Sequence, residues 1–490
     1  MSQIDIHKVI NLFAYNPEEP LIFSSGFFLF LFTAFVAVYT MLRENERAKL
    51  IFVTLFSLYF YYKSSGFFFC LILLATVVDF NLARLINVTE DKARRKVFMI
   101  ASLVANLGIL GYFKYTNFIF DSITGLTGGE YQPMDIFLPV GISFFTFQSL
   151  SYTIDVYRGN IKPVDSILDY AFYLTFFPQL VAGPIVRAAD FLPQIHKPTV
   201  VTDEMLGRGV FLIATGLFKK AVISDYISIN FVDRIFDAPA LYTGLENLLA
   251  VYGYALQIYC DFSGYSDMAI GIALLLGFHF PPNFNSPYQS VNITEFWRRW
   301  HISLSSWLRD YLYISLGGNR KGKVRTYINL MITMLLGGLW HGPAWRFVIW
   351  GGLHGAALAI HKVFSEKVGF RLTGRPVQIV SAVITFHFVC FCWIFFRAAD
   401  LETAWSMMSQ IGSNFSGAVF PEFVSGYSLV FTLMIVGYVL HLIPDAVTDR
   451  VRGRMIEMPL YAKAICLVVV IILVIQTKSA EVQPFIYFQF

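Results

Sequence analysis

The residues best suited to chemistry in this sequence are two histidines in aromatic, polar settings: His301 in Trp300-His301-Ile302-Ser303 and His341 in Trp340-His341-Gly342-Pro343. An imidazole with a pKa near 6.5 can take the proton of a hydroxyl nucleophile. His341 stands just before Gly342-Pro343, where the absent proline N–H interrupts a helix and lets a ring turn into a cavity. A histidine merely satisfied within the core is the competing reading. His301 and Ser305 are four apart and share a helix face, with Arg298 one turn earlier. The stretch 295–313 reads as one helix too polar to face lipid. With Arg299, Arg309 and Asp310 among tryptophans and tyrosines, it is either an interfacial anchor or the lining of a water-filled funnel.

Asp261 and Asp267 lie within an apolar stretch. They are buried hydrogen-bond anchors at a helix break made by Gly264, the preferred reading, or a proton or cation path. His354 and His361, about 10 Å apart on one face, have no carboxylate nearby and make a poor metal pattern, so no metal is expected. The lone histidines His7, His196, His279, His387 and His441 receive no role. The five cysteines, Cys70, Cys260, Cys390, Cys392 and Cys466, sit in apolar runs and read as small core residues. The segment from Phe485 to Phe490 holds four aromatics in six residues. It is a hydrophobic plug, or else Tyr487 offers a phenol oxygen that carries an acyl group transiently.

What must position these groups is a membrane bundle. Of 490 residues 56% are hydrophobic and only 14% charged, with a mean hydropathy of +0.59. Soluble domains carry roughly 25% charged residues, so a soluble enzyme is excluded. The net charge of +4 leaves no nucleic-acid footprint. Apolar windows predict an all-α polytopic protein of about eleven transmembrane helices, with re-entrant or interfacial pieces around a central funnel. The organisation expected is an extension over 1–20, one membrane domain over 21–477 and a tail over 478–490. The N-terminal stretch lacks a basic n-region, so the apolar run from Leu21 is expected to stay as a helix. Basic clusters at Arg43 to Lys49, Lys92 to Lys96, Arg320 to Arg325, Lys362 to Arg375 and Arg450 to Arg454 should face the cytoplasm. Alternating the spans then puts His341 within the membrane or towards the outer face, and the C-terminus outside. The close pairs Gly337-Gly338 and Gly351-Gly352 allow helices to approach.

The segments Trp297-Arg298-Arg299-Trp300-His301-Ile302-Ser303-Leu304-Ser305, Asp310-Tyr311-Leu312-Tyr313 with Gly317-Gly318-Asn319-Arg320, and Gly338-Leu339-Trp340-His341-Gly342-Pro343 resemble membrane-bound O-acyltransferases. The likeness is greatest to the bacterial branch around alginate O-acetyltransferase and the teichoic acid D-alanyl transfer protein. It implies a funnel that nearly crosses the bilayer, with His341 at its narrow point as base and His301 orienting the acceptor or donating to the oxyanion. Arg298, Arg299 and Arg309 would hold donor phosphates, and Trp340, Ser305, Asp310, Asp261 and Asp267 would line the path. It implies acetyl-CoA, or another acyl thioester, as cytoplasmic donor and O-acetylation of an alginate-like exopolysaccharide. The partners implied are the polysaccharide acceptor and an extracytoplasmic acetyltransferase, at a bacterial inner membrane. D-alanyl-type transfer to another envelope polymer and an ion-coupled transporter are the alternatives.

Overall fold

The computed structural model describes residues 11–198, 200–367 and 374–477. Among these residues all regular structure is helical. Five helices are long and apolar enough to cross a membrane, or six if the pair Phe420–Gly426 and Ser428–Leu442, bent by 87°, counts as one span. Eleven simple spans are therefore not seen among the described residues. Ile142–Arg158 is too short at 17 residues, and Gly244–Leu275 carries charged groups along its length. Both are helices that lie largely buried against protein, which relaxes the demand for an apolar surface.

The chain divides into two compact units. The first, residues 1–205 with 272–281, contains α1 (Gly26–Met41), α2 (Glu46–Ser65), α3 (Phe69–Val88), α4 (Lys92–Leu110), α5 (Ile142–Arg158) and α6 (Ile167–Thr175). Its abundant phenylalanine has a use. Phe177, fully buried, meets the rings of Phe23, Phe28, Phe32, Phe35, Phe56 and Phe60 at centroid distances of 5.1 to 6.4 Å, giving edge and tilted contacts that hold α1 to α2. On the other side of the unit, buried Asp79 of α3 accepts hydrogen bonds from Ser102 and Asn106 of α4 and from Ser149 and Thr153 of α5. A carboxyl group at such depth is tolerated because four donors replace its water. The backbone near residue 12 joins the unit too, Lys63 donating to the carbonyl of Leu12 at 3.0 Å.

The second unit, residues 206–271 with 282–490, carries the candidate chemistry. It takes most of α7 (Asp203–Leu217) and of α8 (Gly244–Leu275), then α9 (Ile293–Arg299), α10 (Ile302–Trp307), α11 (Lys323–His341), α12 (Trp345–Lys367) and α13 (Arg375–Arg397). α8 runs unbroken through Gly264, contrary to the expected break. The glycine serves close packing instead: a Cβ on Gly264 would overlap the carbonyl oxygen of Gly216, and one on Gly216 that of Gly264. α11 and α12 form a tight hairpin for the same reason. A Cβ on Gly338 would overlap the Phe347 carbonyl, and one on Gly351 that of Met334, so these glycines bring two backbones together as their sequence suggested.

Candidate active site

His341 is the last residue of α11, where Gly342-Pro343 ends the helix, and its side chain is buried. Rings surround it: Trp340 at 5.1 Å, Trp350 of α12 at 5.0 Å and Phe396 of α13 at 5.1 Å. Trp340 also lies 6.0 Å from the ring of His301, so one indole contacts both imidazoles. Two histidines 40 residues apart in sequence are thereby brought into one aromatic chamber.

The single helix expected over 295–313 is broken in its middle. α9 ends at Arg299, and α10 starts only at Ile302. Between them His301 has φ +44°, the left-handed region that a β-carbon makes costly. Arg298 is consequently not one helical turn before His301. Ser305 does remain one turn after it, its N–H donating to the His301 carbonyl at 2.9 Å. What holds the break is Asn283. Its backbone carbonyl accepts from Ile302 N–H at 2.9 Å, and its side-chain oxygen from the Ser303 N–H at 3.2 Å and hydroxyl at 2.9 Å. Burial pushes the His301 imidazole well below its ordinary pKa, so the ring is neutral.

A cavity of about 630 Å³ lies beyond Trp297, whose ring is 5.7 Å from that of Trp350; neither His301 nor His341 is among the residues that line it. Arg298, Ser305 and Arg309 line it, together with Trp297, His361 and Lys362. α11 contributes Leu330, Thr333 and Met334. At about 1.5 Å per residue, Met334 is some 10 Å short of His341, and Lys323 at the other end some 27 Å from it. Of the cavity's cationic residues Lys362 stands at the Lys323 end of the hairpin, where both lysines pair with Glu366. Arg309 is paired with Asp310, which lifts its pKa further and keeps a cation at the wall. Arg299 lies in a neighbouring polar pocket and pairs with Glu295 at 2.7 Å. Trp297 donates its indole N–H to His354 at 3.3 Å, tying α9 to α12.

Asp261 and Asp267 are placed elsewhere, on the seam between α8 and the π-helical turn Phe218–Ser224. Asp261 meets Lys220 and Asp267 meets Lys219, each at 2.5 Å. Sequence reasoning passed over the two lysines. The signal was available, since two lysines in one apolar segment and two aspartates in another call for each other. It also passed over His441, which accepts the Tyr288 N–H at 3.1 Å, and His196, which lies between Asp169 and Glu46. Tyr487 lies outside the described residues.

A bundle of apolar helices that encloses paired imidazoles beside a basic cavity has the form of a membrane acyl-transfer enzyme. Comparison with known proteins gives the class its name. Residues 159–404 match the model of the membrane-bound O-acyltransferase (MBOAT) family. The chain is 42% identical over 401 residues to the "Probable alginate O-acetylase AlgI" of Pseudomonas aeruginosa, covering 80% of this chain and 75% of that one. It is 36% identical over 426 residues to the "Peptidoglycan O-acetyltransferase" of Helicobacter pylori, with 80% of each chain covered. With the "Teichoic acid D-alanyltransferase" of Bacillus subtilis it shares 31% over 281 residues, which is 54% of this chain and 70% of the other. The protein belongs to the membrane-bound O-acyltransferase family: it is a multi-pass membrane acyltransferase.

Proposed function

We propose that the protein moves an acetyl group from cytoplasmic acetyl-CoA to a hydroxyl used for O-acetylation of an extracellular, alginate-like polysaccharide. The observation that carries this reading is the cavity lined by Arg298, Arg309 and Lys362 and, two turns beyond its Met334, the chamber of His341. Guanidinium and ammonium groups suit the phosphates of the donor, and the apolar side chains of Leu330, Met334 and Leu358 suit its thioester arm. His341 takes the proton of the acceptor hydroxyl, and the oxygen attacks the thioester carbonyl. The tetrahedral intermediate expels the thiolate, which recovers the proton from the imidazolium, leaving an ester and a free thiol. His301 orients the acceptor or supports the oxyanion.

The first acceptor is the polymer itself, the phenol of Tyr487, or an extracytoplasmic acetyltransferase that completes the transfer. The names of relatives that act on alginate and on peptidoglycan support acetyl and a polymer acceptor. The basic clusters support a location in a bacterial inner membrane with the C-terminus outside.

The test is transfer of radiolabel from acetyl-CoA in membranes bearing the wild type or His341→Ala at matched expression. Label carried only by the wild type is expected, with the variant lowered by roughly 10²-fold or more. Equal label in both would remove His341 as base. Label from a D-alanyl thioester but not from acetyl-CoA would move the chain to the teichoic acid type of transfer. Within the active enzyme, unchanged acetylation by Tyr487→Phe would leave the tail as a plug.

A further inference from the structure

His301 combines three observations. It adopts one of two left-handed conformations found among the described non-glycine residues, it is fully buried, and its Nδ1 lies 3.2 Å from Asn283 Oδ1. Which end of the Asn283 amide is oxygen follows from its partners. The backbone N–H of Ser303 can only donate, so the atom it meets is the carbonyl oxygen. The amide nitrogen in turn donates to Ser266 Oγ at 3.1 Å. An oxygen already accepting from a backbone N–H can only accept from the imidazole as well, and Nδ1 must therefore carry the hydrogen. In a neutral ring Nε2 then holds the lone pair.

We propose that Asn283 is a positioning residue of the acyl-transfer site, which locks His301 as the Nδ1–H tautomer and makes Nε2 a hydrogen-bond acceptor for an O–H or N–H of the bound substrate. This rests on the acyltransferase reading and narrows it. Of the two roles open to His301, orienting the acceptor remains and donation to the oxyanion is removed, because Nε2 has no hydrogen to give. The same residue also satisfies the backbone: the Asn283 main-chain carbonyl takes the N–H of Ile302 and its carboxamide oxygen that of Ser303, the two residues after the strained one. Strain of this kind persists only where neighbours over-determine it, and it aims a ring that an unbroken helix would place differently. Phe262 packs edge-on against the imidazole at 4.6 Å, and Trp340 covers another side, so the ring cannot turn to exchange its nitrogens without displacing both.

The experiment uses the full chain in lipid nanodiscs with 15N-labelled histidine, His301 being assigned by its loss in His301→Gln. The 15N shifts distinguish the two tautomers without any turnover. The wild type is expected to show Nδ1–H, and Nε2–H would overturn the proposal whether or not the protein transfers acetyl. Asn283→Asp keeps an acceptor oxygen and is expected to keep Nδ1–H. Asn283→Leu keeps the volume without the acceptor and is expected to lose the single tautomer and to lower kcat by roughly 10²-fold at little change in the KM for acetyl-CoA. Asn283→Asp should exceed Asn283→Leu in kcat by at least tenfold. Equal kcat in the two folded variants would also overturn the role of the oxygen. Absence of transfer by the wild type would count against the acetyl-CoA reading alone, since the tautomer is read independently.

Discussion

His196 shows how a side chain given no role by its sequence acquires one through neighbours distant along the chain. Its Nε2 lies 2.8 Å from Asp169 and its Nδ1 is bonded to Glu46, 150 residues away. The hydrogen bond to Asp169 first, and that to Glu46 next, raise its pKa above the ordinary value. A raised histidine pKa means that the folded state binds the proton more tightly. The stabilisation is complete below the unfolded pKa near 6.5 and is lost as pH rises through the folded value. His196→Gln should therefore lower the thermal midpoint at pH 6 and converge on the wild type above the raised pKa, as read by a melting series at constant ionic strength. A gap that stays constant with pH would assign the loss to packing rather than to charge. The ring is 59% exposed, so screening keeps the effect small. Nothing in Gln194-Ile195-His196-Lys197 announces this pair, because the two carboxylates come from other helices. His341 was legible for the opposite reason: Gly342-Pro343 beside it fixes the end of a helix from sequence alone.

At the scale of elements, the α11–α12 hairpin sets where His341 can be. Gly338, one turn before the histidine, lies against the Phe347 carbonyl and Gly351, and a methyl group there would meet the backbone of α12 at both residues. Gly338→Ala should thus force the two helices apart near their histidine end, at a cost of about 1–3 kcal/mol, and shift His341 relative to Trp350 and Phe396. The expected result is a lower melting temperature together with a fall in acetyl transfer larger than the stability loss explains, read at a temperature where the variant remains folded. Gly26→Ala, where a Cβ meets nothing, is the control. Close approach was readable in the paired glycines, since the residue type limits how near backbones come. The break at His301 was not. Periodicity sees apolar residues at helical spacing on both sides of Trp300-His301 and continues the helix through them, whereas the interruption comes from hydrogen bonds to Asn283, 18 residues away. The count of eleven spans is not confirmed among the described residues for a related reason. Hydropathy counts apolar stretches, but α5 and α8 are apolar because they are buried in protein, and neither reads as a lipid-facing span.

For the whole molecule the open quantity is direction: which end of the cavity meets the cytoplasm. The helix pair supplies two ends of opposite character. Lys323 and Lys362 both pair with Glu366, at 3.5 and 3.3 Å, and Arg320 and Lys321 precede them, so this end of the hairpin is cationic. The other end holds the His341 chamber, about 27 Å away along α11, close to the thickness of a hydrocarbon core. Lysine and arginine concentrate on the cytoplasmic side of short loops. On the proposed function, the donor would then enter from the cytoplasm and the acceptor would meet the acyl group near the outer leaflet. In the same proposed orientation α13 would cross outwards, and 398–419 would face the exterior before the bent pair Phe420–Gly426 and Ser428–Leu442 returned. The arrangement is testable by cysteine labelling in a Cys70→Ser background, since Cys70 is the exposed native thiol among the five. Lys321→Cys should resist a membrane-impermeant maleimide in intact cells and react once the membrane is opened, while Ser416→Cys should react in both. The reverse pattern would place the basic end outside, where acetyl-CoA is absent. It would require the donor and acceptor sides of the reaction to be exchanged, even though the chemistry at His341 stayed the same.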